Sequence, residues 1–166
     1  MNQLVIQDNP KIPEREAINS SMSTVGCNLR EKHNAEFDFV GFEGVRDLPE
    51  EQLHALRKEL ERHMAPADDD EVYKALFKVK NLTKHRKQSD SEMEMQLRAY
   101  AAELKRYPRD ATLKALDRIS DDHEFFPAWK EIRLRVEFHC RRRQTLMNEI
   151  DRALHRKRQA ELIAAS

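Results

Sequence analysis

FFPAWKEIRLRVEFHCRRRQTLMNEIDRAL, residues 125–154, is the stretch on which the reading of the fold turns. Beyond Pro127 neither glycine nor proline occurs, so no residue type interrupts a helix. Trp129, Ile132, Val136, Cys140, Arg143, Met147, Ile150 and Leu154 recur at steps of three and four. That spacing drifts slowly around a helix and is close to a coiled-coil seam. Pro127 suits the first turn, where its missing N–H would have had no partner. A helix from 127 to 158 would span roughly 48 Å. The short preceding helices cannot cover that length, so the far end is expected to project, to pair with another copy, or to fray. Phe125 and Phe126 precede the helix and read as a hydrophobic staple. Trp129 opens the seam. A core plug is therefore preferred to a base-stacking platform, which needs exposed rings beside basic residues.

Working backwards, the punctuation separates four shorter helical segments. Leu53, Leu56, Leu60 and Met64 mark one face between Pro49 and Pro66. Asp68, Asp69 and Asp70 offer N-cap oxygens and negative charge to a helix carrying Val72, Ala75, Leu76 and Val79. Those acids could also hold a hard cation, but a helix start explains them better. Ser89 with Glu92, or Ser91 with Glu94, fits a reciprocal capping box ahead of Met93, Leu97, Tyr100, Ala101 and Leu104. Pro108 ends that helix. Leu113, Leu116 and Ile119, with Asp110 as cap, make a short fourth one.

Residues 1–46 are different. They hold Pro10, Pro13, a polar run at 19–24 and all three glycines, with no sustained helical period. The expected fold is all-α: a small helical bundle at 47–166 with a long C-terminal helix, behind a largely disordered N-terminal arm over 1–46. Within the arm, FDFVGFEGV at 37–45 could form a short strand or a docking peptide. Packing on its own domain and binding a partner both remain open for it. Phe37, Phe39 and Phe42 are the partner-binding candidates.

Composition narrows the chemistry. Charged residues make up 36% of 166 and glycine only three, which favours helices with short connections. No window approaches 18 consecutive apolar residues, so no membrane span is expected. The opening MNQLVIQDNPKIPERE has no basic-then-apolar signal pattern. Cys27 and Cys140 stand far apart, which fits reduced thiols and a cytoplasmic location. The glycines lie in no phosphate-cradling loop, and the seven histidines are dispersed. Neither metal nor cofactor is expected, and binding is preferred to catalysis.

Net charge is zero but unevenly spread. Through Glu71 there are 8 Lys/Arg against 16 Asp/Glu, whereas from Lys130 to Arg158 there are 10 against 4. The two ends could serve separate partners or attract each other within one molecule. Lys84, Arg86 and Lys87, and Arg141, Arg142 and Arg143, are the candidate phosphate contacts. A solvated helix face with pairs such as Glu137 and Arg141 is the competing account.

Tyr100-Ala-Ala-Glu-Leu-Lys-Arg-Tyr-Pro108, Ala111-Thr-Leu-Lys-Ala-Leu116 and Phe125-Phe-Pro-Ala-Trp-Lys-Glu-Ile132 together resemble small phage and prophage replication proteins. A similar domain occurs in phage loaders or inhibitors of the host's ring-shaped replicative helicase. The resemblance covers about residues 93–135, in packing and capping positions, and transfers no catalytic residue. It implies a compact helical domain with a flexible partner-binding segment, a bacterial replicative helicase as one partner, and DNA or an initiator as another. Two rival expectations stand beside it. One is a DNA-binding regulator using the basic C-terminal helix; the other is an assembly protein that forms homo-oligomers through the Ile132–Leu154 seam.

Overall fold

The computed structural model describes residues 12–84 and 87–165. In chain order they form α1 (Ile12–Val25), β1 (Arg30–His33), β2 (Phe39–Glu43) and a single 3-10 turn at Val45–Asp47. Then follow α2 (Glu50–Arg62), α3 (Asp69–Leu82), α4 (Asp90–Leu104), α5 (Arg109–Asp117), α6 (Ile119–Asp122) and the long α7 (Trp129–Ala164). The fold is all-α in character, with one two-stranded sheet among the described residues. No described helix is long and apolar enough to cross a membrane.

The chain divides into two compact units. One contains Met64–Cys140; the other joins Glu14–His63 to Arg141–Ser166. The boundary expected near residue 46 is thus replaced by two crossings, one after α2 and one within α7.

The first unit is built by the four-residue logic of its sequence. Asp68 caps α3 by accepting the Asp70 N–H at 2.9 Å. Ser89, and not Ser91, caps α4. Its hydroxyl accepts the Glu92 N–H at 3.2 Å, and the Glu92 carboxylate accepts the Ser89 N–H at 2.8 Å. Leu76, Leu97, Leu104, Leu116, Ile119 and Ile132 are fully buried together. Tyr100 stacks on Phe126 at 5.9 Å and tilts against Trp129 at 5.5 Å. Phe126 is buried while Phe125 is about half exposed, so one ring of the pair enters the core. The helix start lies two residues beyond Pro127: the Glu131 carboxylate accepts the Ala128 N–H at 2.6 Å and holds the first turn.

For residues 14–46 the second unit corrects the expectation of a disordered arm; residues 1–11 of that expected arm lie outside the described residues. Residues from 12 onward form a helix and a hairpin, and Ile18, Met22, Leu29, Phe39, Phe42 and Val45 enter one core with Leu53, Leu56 and Leu60 of α2. Leu146, Ile150, Ala153 and Leu154 of α7 complete it. Each fully buried leucine contributes about 1.5–3 kcal/mol of transfer free energy. That is enough to order a punctuated segment which has a core of its own to join. The inward face of α1 hides its period because two of its positions are small, Ala17 and Ser21.

Candidate functional site

The hairpin of the second unit organises the surface features. β1 and β2 pair antiparallel, Arg30 with Glu43, Glu31 with Phe42, Lys32 with Gly41 and His33 with Phe39, and the register shifts between Lys32 and His33. Val40 is the extra residue of this bulge; a bulge re-aims side chains. Phe39 and Phe42 therefore both turn inward, and their rings meet edge to face at 5.3 Å. Of the three phenylalanines expected to meet a partner, these two are core residues instead.

Phe37 is the exception. The loop before it is tied by the Asn34 side chain, whose Oδ1 accepts the N–H groups of Glu36 at 3.0 Å and Asp38 at 2.8 Å. The Phe37 N–H donates to the Asn34 carbonyl at 3.1 Å. This leaves Phe37 in the left-handed region, with φ of 63° and its side chain in solvent at 88% exposure. The conformation costs a non-glycine residue about 1–2 kcal/mol.

Behind the hairpin lies a buried charge network. Glu14 is 1% exposed; its carboxylate accepts the backbone N–H of Arg143 at 3.0 Å and sits 3.7 Å from the Arg142 guanidinium. Burial pushes the Glu14 carboxyl up, and the hydrogen bonds and charges of Arg142 and Arg143 oppose this without reversing it. Arg142 also donates to Glu31 at 3.1 Å and lies 5.0 Å over the Phe39 ring. Burial raises Glu31 too, but the Arg15 hydrogen bond and the charges of Arg142, Arg15 and His33 hold it below its usual range. Arg143 donates to the His63 carbonyl at 2.7 Å, a cation closing the C-terminal end of α2.

The arginine run is thereby reassigned. Arg142 and Arg143 are buried and cannot meet a phosphate, because their guanidinium groups are occupied inside the unit. Arg141 is exposed, with one hydrogen bond to the Phe39 carbonyl at 3.4 Å. The seam of α7 is likewise filled by the chain itself. Ile132, Val136 and Cys140 belong to the first core, Ile150 and Leu154 to the second, so a second copy cannot pair there without displacing them.

The other basic stretch is partly neutralised. Lys78 pairs with Asp117 at 3.3 Å and Lys84 with Glu124 at 2.5 Å. The Lys84 backbone also bridges to Glu124 and Phe126. Lys87 is exposed, and Arg86 lies outside the described residues. On α7, Arg133 pairs with Glu137 and Arg135 with Asp122.

A feature that sequence reasoning missed lies on the second unit, where β1, the turn after β2 and the last part of α7 enclose a recess of about 580 Å³. Lys32, Arg46, Arg152 and Arg156 line it, together with Glu43, Asp47 and Glu149. Glu149 accepts the Phe42 N–H at 3.2 Å. It occupies the space beside Gly41, where any Cβ would collide with its carboxylate. Burial raises the Glu149 carboxyl, against the Phe42 hydrogen bond and the charges of Arg152, Arg46 and Lys32. The signal available beforehand was slight: Arg152 and Arg156 are one turn apart on one helix face. Among the described residues, no group of histidines, cysteines and carboxylates forms a metal-binding cluster.

No family model, no curated protein and no solved structure matches the chain.

Proposed function

We propose that the chain is a non-catalytic, cytoplasmic binding protein of phage or prophage replication, acting on a bacterial replicative helicase as a loader or inhibitor. The observation that carries a binding role is Phe37. A large apolar ring held in solvent, in an unfavourable backbone conformation, by its own turn is an anchor prepared before contact. Pre-ordering lowers the entropy lost when a partner pocket closes over it. The replication reading has separate support. The residues that carry the resemblance, from Tyr100 through Phe126 to Ile132, pack with one another in a single unit, which is what a transferable domain requires.

The test is capture of purified bacterial replicative helicase by the full chain, with and without ATP. Retention at micromolar concentration that falls at least about tenfold in a Phe37→Ala variant is expected, since an anchor truncation costs upwards of about 1.4 kcal/mol. No retention in either nucleotide state would sink the helicase reading. Retention indifferent to Phe37 would keep the helicase and dismiss the anchor. The DNA-regulator alternative loses its main support with the burial of Arg142 and Arg143.

A further inference from the structure

We propose that the recess between β1, the Val45–Asp47 turn and the end of α7 binds a compact polyphosphate anion, a di- or triphosphate group, through Lys32, Arg46, Arg152 and Arg156. The four cations come from three separate pieces of chain and face one space of about 580 Å³. Among the described residues none of the four makes an ion pair within 4 Å, although three of them act electrostatically on Glu149. Glu149 forms no ion pair with them within 4 Å; its Oε2 accepts the Phe42 N–H, and it acts on three of them at longer range. Four cations stand against three carboxylates in this recess and none is ion-paired within 4 Å among the described residues, so their side chains are open to an anion with several oxygens. Guanidinium forks match phosphate oxygens with two parallel hydrogen bonds.

Size and charge decide between a compact and an extended ligand. Glu43 and Asp47 line the same recess, which measures about 580 Å³. With three carboxylates beside four cations, the excess positive charge is small, which disfavours a long strand of nucleic acid and suits a short phosphate group. Glu149 is the internal competitor: it holds the charge that Lys32, Arg46 and Arg152 feel when no ligand is bound. Removing that charge while keeping the acceptor for Phe42 should strengthen anion binding. The site is independent of the helicase reading and does not use Phe37.

Calorimetric titration of the full chain with inorganic tripolyphosphate tests this, with inorganic pyrophosphate and a single-stranded oligodeoxynucleotide as parallel probes. Saturable one-to-one binding with a dissociation constant below about 1 mM is expected. Arg46→Ala and Arg152→Ala should each weaken it about tenfold or more, and Glu149→Gln should tighten it. Arg158→Ala, an exposed neighbour on α7 outside the recess, should leave it unchanged; thermal melts confirm that each variant is folded. Absence of tripolyphosphate binding, loss shared equally by Arg158→Ala, or binding of the oligonucleotide alone would each overturn the proposal.

Discussion

The carboxylate of Glu14, on the first helix, accepts the backbone N–H of Arg143, in the middle of the last, at 3.0 Å. A mid-helix N–H ordinarily serves the carbonyl four residues back, so a buried carboxylate here enters the helical ladder. The contact ties the segment read from sequence as an arm to the last helix, beside the core that orders it. Glu14 is 1% exposed and brings its negative charge next to Arg142, while the Arg143 side chain closes α2 through the His63 carbonyl. Glu14 thus joins α1 to α7, and Arg143 joins α7 to α2, so titration of the acid should be visible in stability.

Glu14 and Glu31 should tilt the stability profile in opposite directions. The Glu14 carboxyl is raised in the folded chain, so its contribution is present at low pH and is lost as pH rises through its folded value. Glu31 is depressed, so its contribution is present above its ordinary value and is lost as pH falls through the folded one. The neighbours facing the pair are Arg15, His33, Arg142 and Arg143. Urea unfolding from about pH 3 to about pH 7 should show Glu31→Gln flattening the acid limb and Glu14→Gln removing the decline on the other side. Glu14→Gln keeps an acceptor for the Arg143 N–H, whereas Glu14→Ala removes that buried hydrogen bond together with the Arg142 contact and costs about 1–3 kcal/mol. Equal losses for Gln and Ala at neutral pH would contradict the assignment.

The arginine run separates into three roles that one experiment distinguishes. Arg143→Ala removes a buried cation from the end of α2 and from the core, with an expected cost of about 3–5 kcal/mol. Arg141→Ala touches an exposed side chain and should stay within about 0.5 kcal/mol. Arg142→Ala breaks contacts to Glu14, Glu31 and the Phe39 ring and should fall between them. Chemical denaturation of the three variants gives the order directly. Comparable small effects for all three would mean that the run is a solvated face after all.

Much of this was legible beforehand, and the misreadings have definite causes. The step of three and four residues placed Arg143 on the inward seam, while the charge run placed the same residue outside; periodicity was the better guide because an arginine can satisfy its guanidinium at a helix end. Two helices of the first unit were legible from their caps, since Asp68 and Ser89 make the local hydrogen bonds their spacing implies. By contrast, α5 starts at Arg109 after Pro108, so Asp110 lies in its first turn and is not the expected cap. The second unit was not legible, because α1 buries small residues and the hairpin depends on a bulge at Val40. Without that extra residue, alternation would put Phe39 and Phe42 on opposite faces. The cationic recess joins residues more than a hundred positions apart, Lys32 and Arg156 among them, so no local pattern could announce it.

Ser89 and Ser91 were equivalent in sequence and are not in structure. Ser89→Ala should lower stability by about 1 kcal/mol through loss of the α4 cap, and Ser91→Ala should leave it within about 0.5 kcal/mol. Thermal melts of the two variants settle the choice, and a reversed order would place the helix start two residues later.

Gly41 and Glu149 should be coupled. A methyl group at position 41 meets the Glu149 carboxylate and sits at a backbone φ of 157° that favours glycine, so Gly41→Ala should cost about 1–3 kcal/mol, part of it relieved when Glu149 gives way. In a Gly41→Ala, Glu149→Ala double variant the collision is gone, and the backbone strain at position 41 and the lost acceptor for the Phe42 N–H remain. The double variant should therefore be more stable than the two single losses added together predict. A double-mutant cycle with urea measures that difference directly, and simple additivity would remove the contact.

Phe37 should show a conflict between stability and use. Its ring is 88% exposed and buries almost nothing, yet its backbone is held at a φ of 63°. Asparagine tolerates this region far better than phenylalanine, because its short polar side chain bonds locally. Glycine would fit as well but adds freedom to the unfolded chain, which offsets part of the gain. Phe37→Asn should thus raise the urea midpoint, by roughly 0.5–1 kcal/mol in stability, without changing the m-value. The same substitution should weaken partner capture as Phe37→Ala does. A residue that makes its own fold less stable and loses nothing when replaced would have no claim to be an anchor. Stabilisation together with loss of capture is the result that separates a prepared contact from an accident of the turn.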